Sequence, residues 1–130
     1  MTDRPGAVLD ASALVALLNS ERGADVVAEH LDAAVVSAVN WSETYGALRR
    51  AGVDGDALAE GFGETGIEIV PFDADDARNA GELSLATRDA GLSLGDRACL
   101  ALTGRLGLPA VTADRAWLAV DAGVEVICVR

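Results

Sequence analysis

Four acidic side chains stand where a predicted strand ends or a predicted helix begins: Asp10, Glu43, Asp96 and Asp114. Asp10 ends the apolar run 7–9, and a helical pattern over 12–18 follows at once. The carboxyl end of a buried strand is where open α/β sheets place their chemistry. An ionised carboxylate resists burial there unless a cation or hydrogen-bond donors compensate it. We expect no capping role for Asp10 that its neighbours could not fill, so it is a candidate cation ligand.

The donor chemistry of the four acids points to a hard cation. Ligand sets made only of oxygen select Mg²⁺ or Mn²⁺ over Zn²⁺, and we expect no His or Cys among the ligands. Such a site suits metal-assisted hydrolysis of a phosphodiester, with metal-activated water as the nucleophile. His30 is the only histidine and is expected to be solvated, which leaves no Ser–His or Cys–His pair. No nucleophilic side chain is predicted.

Three of the acids, each taken alone, also fit a purely structural role. Glu43 follows Asn40 by three residues, and Asp96 follows Ser93 by three. That spacing is typical of a capping box at a helix N-terminus. Asp114 fits an N-cap, and acidic residues favour helix starts in general. Metal ligation and helix capping both remain open for these positions.

The elements that would position the acids follow from alternating strand and helix patterns. Strands are predicted at 7–9, 34–37, 67–70, 109–112 and 124–129. Helices are predicted at 12–18, 24–31, 40–50, 55–64, 73–90, 93–106 and 114–120. Strands separated by helices predict a three-layer α/β/α sandwich with a mainly parallel sheet, in one domain over 1–130. The strand carboxyl ends then bring Asp10, Glu43 and Asp114 to one edge. Asp96 is placed there by inference, since its helix follows another helix.

The composition fits one compact, acidic domain. The chain has 130 residues, of which 51% are hydrophobic, enough to build a real core. A formal net charge of -11 argues against a general nucleic-acid-binding surface and would suit a basic protein partner. No apolar run is long enough to span a membrane, and no signal peptide is recognised, so we expect a cytoplasmic protein. Cys99 and Cys128 lack metal-ligand spacing and are expected to be buried free thiols.

Four ordered motifs resemble those of the PIN-domain nucleases. They are VLDASAL at Val8–Leu14, NWSE at Asn40–Glu43, LGDRA at Leu94–Ala98 and TADRAW at Thr112–Trp117. More narrowly, the set resembles the VapC toxins of bacterial toxin–antitoxin pairs, over essentially the whole chain. The resemblance implies three core acids at Asp10, Glu43 and Asp96, and a fourth acid at Asp114.

The resemblance also implies a Mg²⁺- or Mn²⁺-dependent endoribonuclease that forms a homodimer. It implies inhibition by a cognate VapB antitoxin that occupies the acidic groove. Around the acids, Ser12 is predicted to donate to Asp10 or to water on the metal, and it equally fits a helix N-cap. Thr112 could line the site or pack within its strand. Arg97 and Arg115 could hold RNA phosphates or be surface charges.

Three alternatives remain beside the toxin. One is a PIN-like nuclease of RNA processing outside toxin–antitoxin systems. Another is a non-catalytic acidic interaction module whose carboxylates only cap helices. A phosphatase of the haloacid-dehalogenase kind would use Asp10 as a covalent nucleophile. That site usually has a second Asp where this chain has Ser12, and a Lys, which this chain lacks. Divalent-ion binding separates the nucleases from the interaction module.

Overall fold

Five short strands form one parallel sheet in the computed structural model, which describes residues 6–130. The strands are β1 (Val8–Leu9), β2 (Val35–Ser37), β3 (Glu68–Val70), β4 (Ala110–Thr112) and β5 (Val126–Cys128). Their order is β3-β2-β1-β4-β5, and all four neighbouring pairs are parallel. The predicted parallel sheet is confirmed, and β1, the strand that leads to Asp10, lies at its centre.

Six α-helices within residues 6–130 connect and cover the strands. They are α1 (Ala11–Leu18), α2 (Ala24–Ala28), α3 (Ala38–Arg50), α4 (Gly55–Glu64), α5 (Ala74–Ala86) and α6 (Leu94–Leu106). Two short 3₁₀ helices, Arg88–Ala90 and Arg115–Ala119, lie where the sequence predicted the end of a long helix and a short α-helix. The predicted helix over 24–31 ends early, at Ala28. None of the helices in the described part of the chain is long and apolar enough to cross a membrane.

Alternating strand residues divide the interior into two apolar layers. Leu9, Val36 and Val111 face one side of the sheet, where they pack with α1, α2 and α4. Val8 and Ala110 face the other side, where they pack with α6, α5 and the second 3₁₀ helix. Period-two alternation on strands buried on both faces is what an α/β/α arrangement requires. The predicted three-layer sandwich is confirmed.

The start of α3 differs from its prediction. Strand β2 runs directly into the helix, so Ser37 is the N-cap and its hydroxyl accepts a hydrogen bond from the Val39 N–H at 3.2 Å. The predicted capping box of Asn40 and Glu43 is therefore wrong. Asn40 lies inside the helix and is only 1% exposed. The amide is thus free for contacts with a neighbouring helix.

The other predicted capping box is confirmed at the start of α6. The Ser93 N–H donates to Asp96 Oδ2 at 3.0 Å, and the Asp96 N–H donates to Ser93 Oγ at 3.2 Å. Both cysteines are free. Cys99 is fully buried, as expected, whereas Cys128 is only partly buried because it lies on the edge strand β5.

Candidate active site

Asp10 lies at the carboxyl end of the central strand and is 3% exposed. It is also the N-cap of α1, because its Oδ1 accepts a hydrogen bond from the Ala13 N–H at 2.8 Å. From the sequence, the neighbours of Asp10 were expected to cap this helix, and that expectation is wrong. An ionised carboxylate offers about four lone-pair sites, so capping occupies only part of its capacity.

Two hydroxyl groups hold the Asp10 carboxylate from the other side. Ser12 Oγ lies 2.8 Å from Asp10 Oδ1, and Thr112 Oγ1 donates to Asp10 Oδ2 at 2.6 Å. Each hydroxyl in turn accepts a backbone hydrogen bond, Ser12 from the Ala113 N–H at 2.9 Å and Thr112 from the Asp114 N–H at 3.0 Å. These bonds join the end of β1 to the segment after β4 and fix the orientation of Asp10.

The charge of Asp10 is only partly compensated. Burial raises the pKa of Asp10 from 3.8 to about 6, although hydrogen bonds from Thr112, the Ala13 N–H and Ser12 act in the opposite direction. The negative charge of Asp96 raises that pKa further. Within residues 6–130, no arginine forms an ion pair with Asp10. Burial therefore outweighs three hydrogen bonds, and a bound cation would reverse the balance.

Glu43 projects from α3 onto the first turn of α6. Its carboxylate lies against the Cα of Gly95, where a side chain of any size would overlap it. Its Oε1 accepts a hydrogen bond from Asn40 Nδ2 at 3.1 Å. Partial burial raises the pKa of Glu43, the Asn40 hydrogen bond lowers it, and the charge of Asp96 raises it again. The two helices thus hold a second carboxylate close to Asp96.

Asp96 is the acid that links the other two, since its charge acts on both Asp10 and Glu43. Its Oδ2 accepts the capping hydrogen bond from the Ser93 N–H. Beneath these acids lies Cys99, one turn further along α6. Burial raises the pKa of the Cys99 thiol well above its usual value, and the three carboxylates add to that effect. Sequence reasoning missed this neighbour, although its i+3 spacing from Asp96 signals it.

The fourth predicted acid stands apart from this group. The Asp114 carboxylate is exposed and caps the second 3₁₀ helix by accepting from the Ala116 N–H at 3.0 Å. Asp114 is not among the charges that shift the pKa of Asp10 or Glu43. Only its backbone N–H, which donates to Thr112, ties it to the network around Asp10.

The two predicted arginines differ in their surroundings. Arg97 NH1 donates to the carbonyl oxygen of Ala80 at 2.9 Å, so its guanidinium is held against α5. Arg115 is exposed, in the 3₁₀ helix that Asp114 caps. Of the two, Arg115 is the one whose guanidinium solvent can reach freely.

The group of Asp10, Glu43 and Asp96 fits a hard divalent cation by its donor chemistry. All six side-chain oxygens are carboxylate oxygens, the ligands that Mg²⁺ and Mn²⁺ prefer. Within the described residues, no three His, Cys, Asp or Glu side chains are already assembled closely enough to hold a metal ion. Asp10 is held by three hydrogen-bond donors, whereas the exposed side chain of Glu43 is held by one, Asn40. Binding a cation would therefore require the three carboxylates to move closer together.

Comparisons with known proteins show the family and the fold of the chain. A family model described as PIN domain matches residues 7–123. No functionally curated protein matches the sequence. The toxin VapC20 of Mycobacterium tuberculosis, described as cleaving the sarcin–ricin loop, is 21% identical, with a TM-score of 0.74 over 92% of this chain and 96% of that chain.

Two further solved structures are similar to this chain in fold. DNA-bound VapBC from Salmonella typhimurium is 17% identical, with a TM-score of 0.74 over 98% of this chain and 100% of that chain. VapBC-5 from Mycobacterium tuberculosis is 26% identical, with a TM-score of 0.58 over 97% of this chain and 99% of that chain. These similarities cover between 96% and 100% of the three solved chains.

Proposed function

The chain belongs to the PIN-domain family, and from this premise we propose that it is a divalent-metal-dependent endoribonuclease, the toxin of a VapBC-type toxin–antitoxin pair. One observation carries the proposal. The charge of Asp96 acts on both Asp10 and Glu43 at the carboxyl edge of the sheet, and no arginine within the described residues pairs with these acids. Carboxylates whose charge is only partly compensated suit a cation at this edge.

Each of the three acids would contribute to binding Mg²⁺ or Mn²⁺ in a different way. Such an ion supplies positive charge that polarises a phosphodiester and lowers the pKa of water. Asp10 is the rigid ligand, because Ser12 and Thr112 orient its carboxylate. Glu43 is the ligand at the surface, and Asn40 holds its carboxylate by one hydrogen bond. Asp96 offers Oδ1, since its Oδ2 is engaged by the backbone N–H of the capping box.

Outside this group, Asp114 and Arg115 are proposed to act at the RNA-facing rim. Asp114 is exposed beside the hydroxyl network of Asp10, a position suited to an outer acid that orients water or a second cation. Arg115 is exposed next to it and would contact a phosphate of the RNA. Arg97 would contribute to fold stability, since its guanidinium bonds the Ala80 carbonyl. With a net charge of -11, any RNA contacts would be local rather than spread over the surface.

The toxin role and its partner are supported by the full-length structural neighbours, which include VapC20 and two VapBC complexes. We propose a VapB-like antitoxin as the partner, a homodimer as the assembly and the cytoplasm as the location. An antitoxin segment that carries arginine or lysine would match the negative potential around the three acids. Such a segment would compete with the metal and the RNA for the same carboxylates.

A second candidate function is a non-catalytic interaction module, which helix capping favours. Asp10, Asp96 and Asp114 each accept a backbone hydrogen bond at a helix start. Capping alone does not explain Asp10, because Ser or Asn caps a helix equally well without a buried charge. It also leaves Glu43 unexplained, since that side chain caps nothing in α3. These two positions favour the nuclease.

The test of this proposal is cleavage of total cellular RNA by purified, antitoxin-free protein, with Mn²⁺ or with EDTA. Analysis of the new RNA ends identifies the nucleophile. We expect Mn²⁺-dependent fragments with linear phosphate ends, because water attacks the phosphorus. Ends carrying 2′,3′-cyclic phosphate, or cleavage in EDTA, would contradict the proposal. No cleavage together with no Mn²⁺ binding by calorimetry would favour the interaction module, whereas no cleavage with clear binding would mean that the RNA target is absent from the assay.

A further inference from the structure

We infer that Asn40 is a positioning residue that sets the separation between the carboxylates of Glu43 and Asp96. This inference rests on the function proposed above, since it concerns two of the proposed metal ligands. It departs from the sequence prediction, in which Asn40 only caps a helix. The structure instead buries its amide between α3 and α6.

Both hydrogens of the Asn40 amide are used, one on each side of the site. Asn40 Nδ2 donates to Glu43 Oε1 at 3.1 Å and to the carbonyl oxygen of Gly95 at 2.9 Å. An amide nitrogen has two donor hydrogens, so this side chain has none left. The first bond fixes the Glu43 side chain, and the second fixes the backbone that directly precedes Asp96. One side chain therefore ties both acids to a common point.

Gly95 completes this arrangement from the other helix. It is buried in the first turn of α6, and its missing side chain leaves the space that the Glu43 carboxylate occupies. Without the Asn40 bond, repulsion from Asp96 would push the exposed Glu43 side chain out toward water, where charges are better solvated. Asn40 and Gly95 together hold Glu43 against that repulsion.

The other end of the amide indicates that packing is not the reason for Asn40. Its Oδ1 is buried and has no hydrogen-bond partner within the described residues. An unpaired buried acceptor destabilises a fold, and an apolar side chain of similar volume would avoid that loss. The N–H groups are thus the part of Asn40 that this position uses.

A double-mutant cycle with Mn²⁺ calorimetry tests this role in the full-length chain. Asn40→Leu, which keeps the volume and removes the donors, and Asn40→Ala are each made in the wild-type and Glu43→Ala backgrounds. We expect either change to weaken Mn²⁺ binding by about 10- to 100-fold in the wild-type background. In the Glu43→Ala background the same change should cause a clearly smaller loss, because only the bond to the Gly95 carbonyl, next to Asp96, is left to lose.

A matched control separates positioning from stability. Thr103, in α6, is fully buried and polar like Asn40, and its hydroxyl donates to the Leu100 carbonyl. It lies about 12 Å from Gly95 along the helix axis, away from the three acids. Thr103→Val should leave Mn²⁺ affinity unchanged, even where it shifts the urea midpoint as much as Asn40→Leu does.

Two outcomes would overturn the inference in different ways. The first case requires that Glu43→Ala itself weakens Mn²⁺ binding. If Asn40→Leu then lowers Mn²⁺ affinity by the same factor in both backgrounds, or in neither, the positioning role alone is overturned. If Glu43→Ala leaves both Mn²⁺ affinity and RNA cleavage unchanged, the proposed metal site is wrong as well.

Discussion

The buried carboxylate of Asp10 should make the metal-free protein less stable as the pH rises. Its pKa is raised from 3.8 to about 6 in the fold, chiefly by burial. Between these two values the folded chain binds the Asp10 proton more tightly than the unfolded chain does. The free energy of unfolding therefore falls as the pH rises through this window, and the loss is complete above pH 6.

The size of this effect follows from the two pKa values. At 1.36 kcal/mol for each pH unit, the full difference corresponds to about 3 kcal/mol. Asp10→Asn removes the titrating group but keeps an oxygen that can cap α1, and the hydroxyls of Ser12 and Thr112 can turn to accept from the new amide. The variant should therefore lack this part of the pH dependence.

Urea unfolding in EDTA between about pH 4 and pH 8 measures the difference. The free energy of unfolding of the wild type minus that of Asp10→Asn should fall by about 2–3 kcal/mol across this range. The contributions of the other titrating groups to the pH dependence are largely the same in both proteins, so they cancel in that subtraction. Asp121→Asn, at an exposed position, is the matched control. A difference for Asp10→Asn that does not change with pH would refute the idea that a partly compensated charge is buried at the end of β1.

Three further predictions concern the surroundings of Asp10. Gly95→Ala should lower RNA cleavage at least 10-fold, because its methyl group displaces the Glu43 carboxylate. Gly104→Ala, in the same helix with open space around it, should instead stabilise the fold by about 0.5–1 kcal/mol and keep activity. Mn²⁺ at about 100 times its Kd should raise the unfolding free energy of the wild type by about 2.7 kcal/mol at neutral pH, and that of Asp10→Asn hardly at all. Ellman's reagent should label Cys128 in the native protein and Cys99 only after unfolding; rapid native labelling of both would contradict the burial of Cys99.

The order and type of the secondary structure elements could be predicted because the three central strands, β1, β2 and β4, are apolar runs that the fold largely buries. The alternation of these runs with helical patterns leaves few arrangements other than a parallel sheet. The Ser93 and Asp96 capping box was also predictable, since both partners lie within four residues. Boundaries at 24–31 and 73–90 were less certain because helix ends depend on tertiary contacts.

The roles of Asn40 and Gly95 could not be predicted, because they exist only once α3 packs against α6. The residues are 55 positions apart, and a local pattern assigned Asn40 to a cap. Ser37 is the N-cap of α3 instead, because β2 leads into α3 without a loop. Cys99 was missed for a related reason, since its burial beneath three acids depends on where the start of α6 lies. Local spacing predicted the acids, whereas their supporting residues required the fold.

Side-by-side cleavage of total cellular RNA by the wild type, Asp10→Asn and Asp121→Asn tests the central claim most directly. Each protein is assayed with Mn²⁺ and with EDTA, after its folding has been verified by urea unfolding. We predict discrete fragments only with Mn²⁺, and only from the wild type and Asp121→Asn. Equal cleavage by Asp10→Asn would contradict the assignment of the metal site, because the acid at the centre of the sheet would then be dispensable.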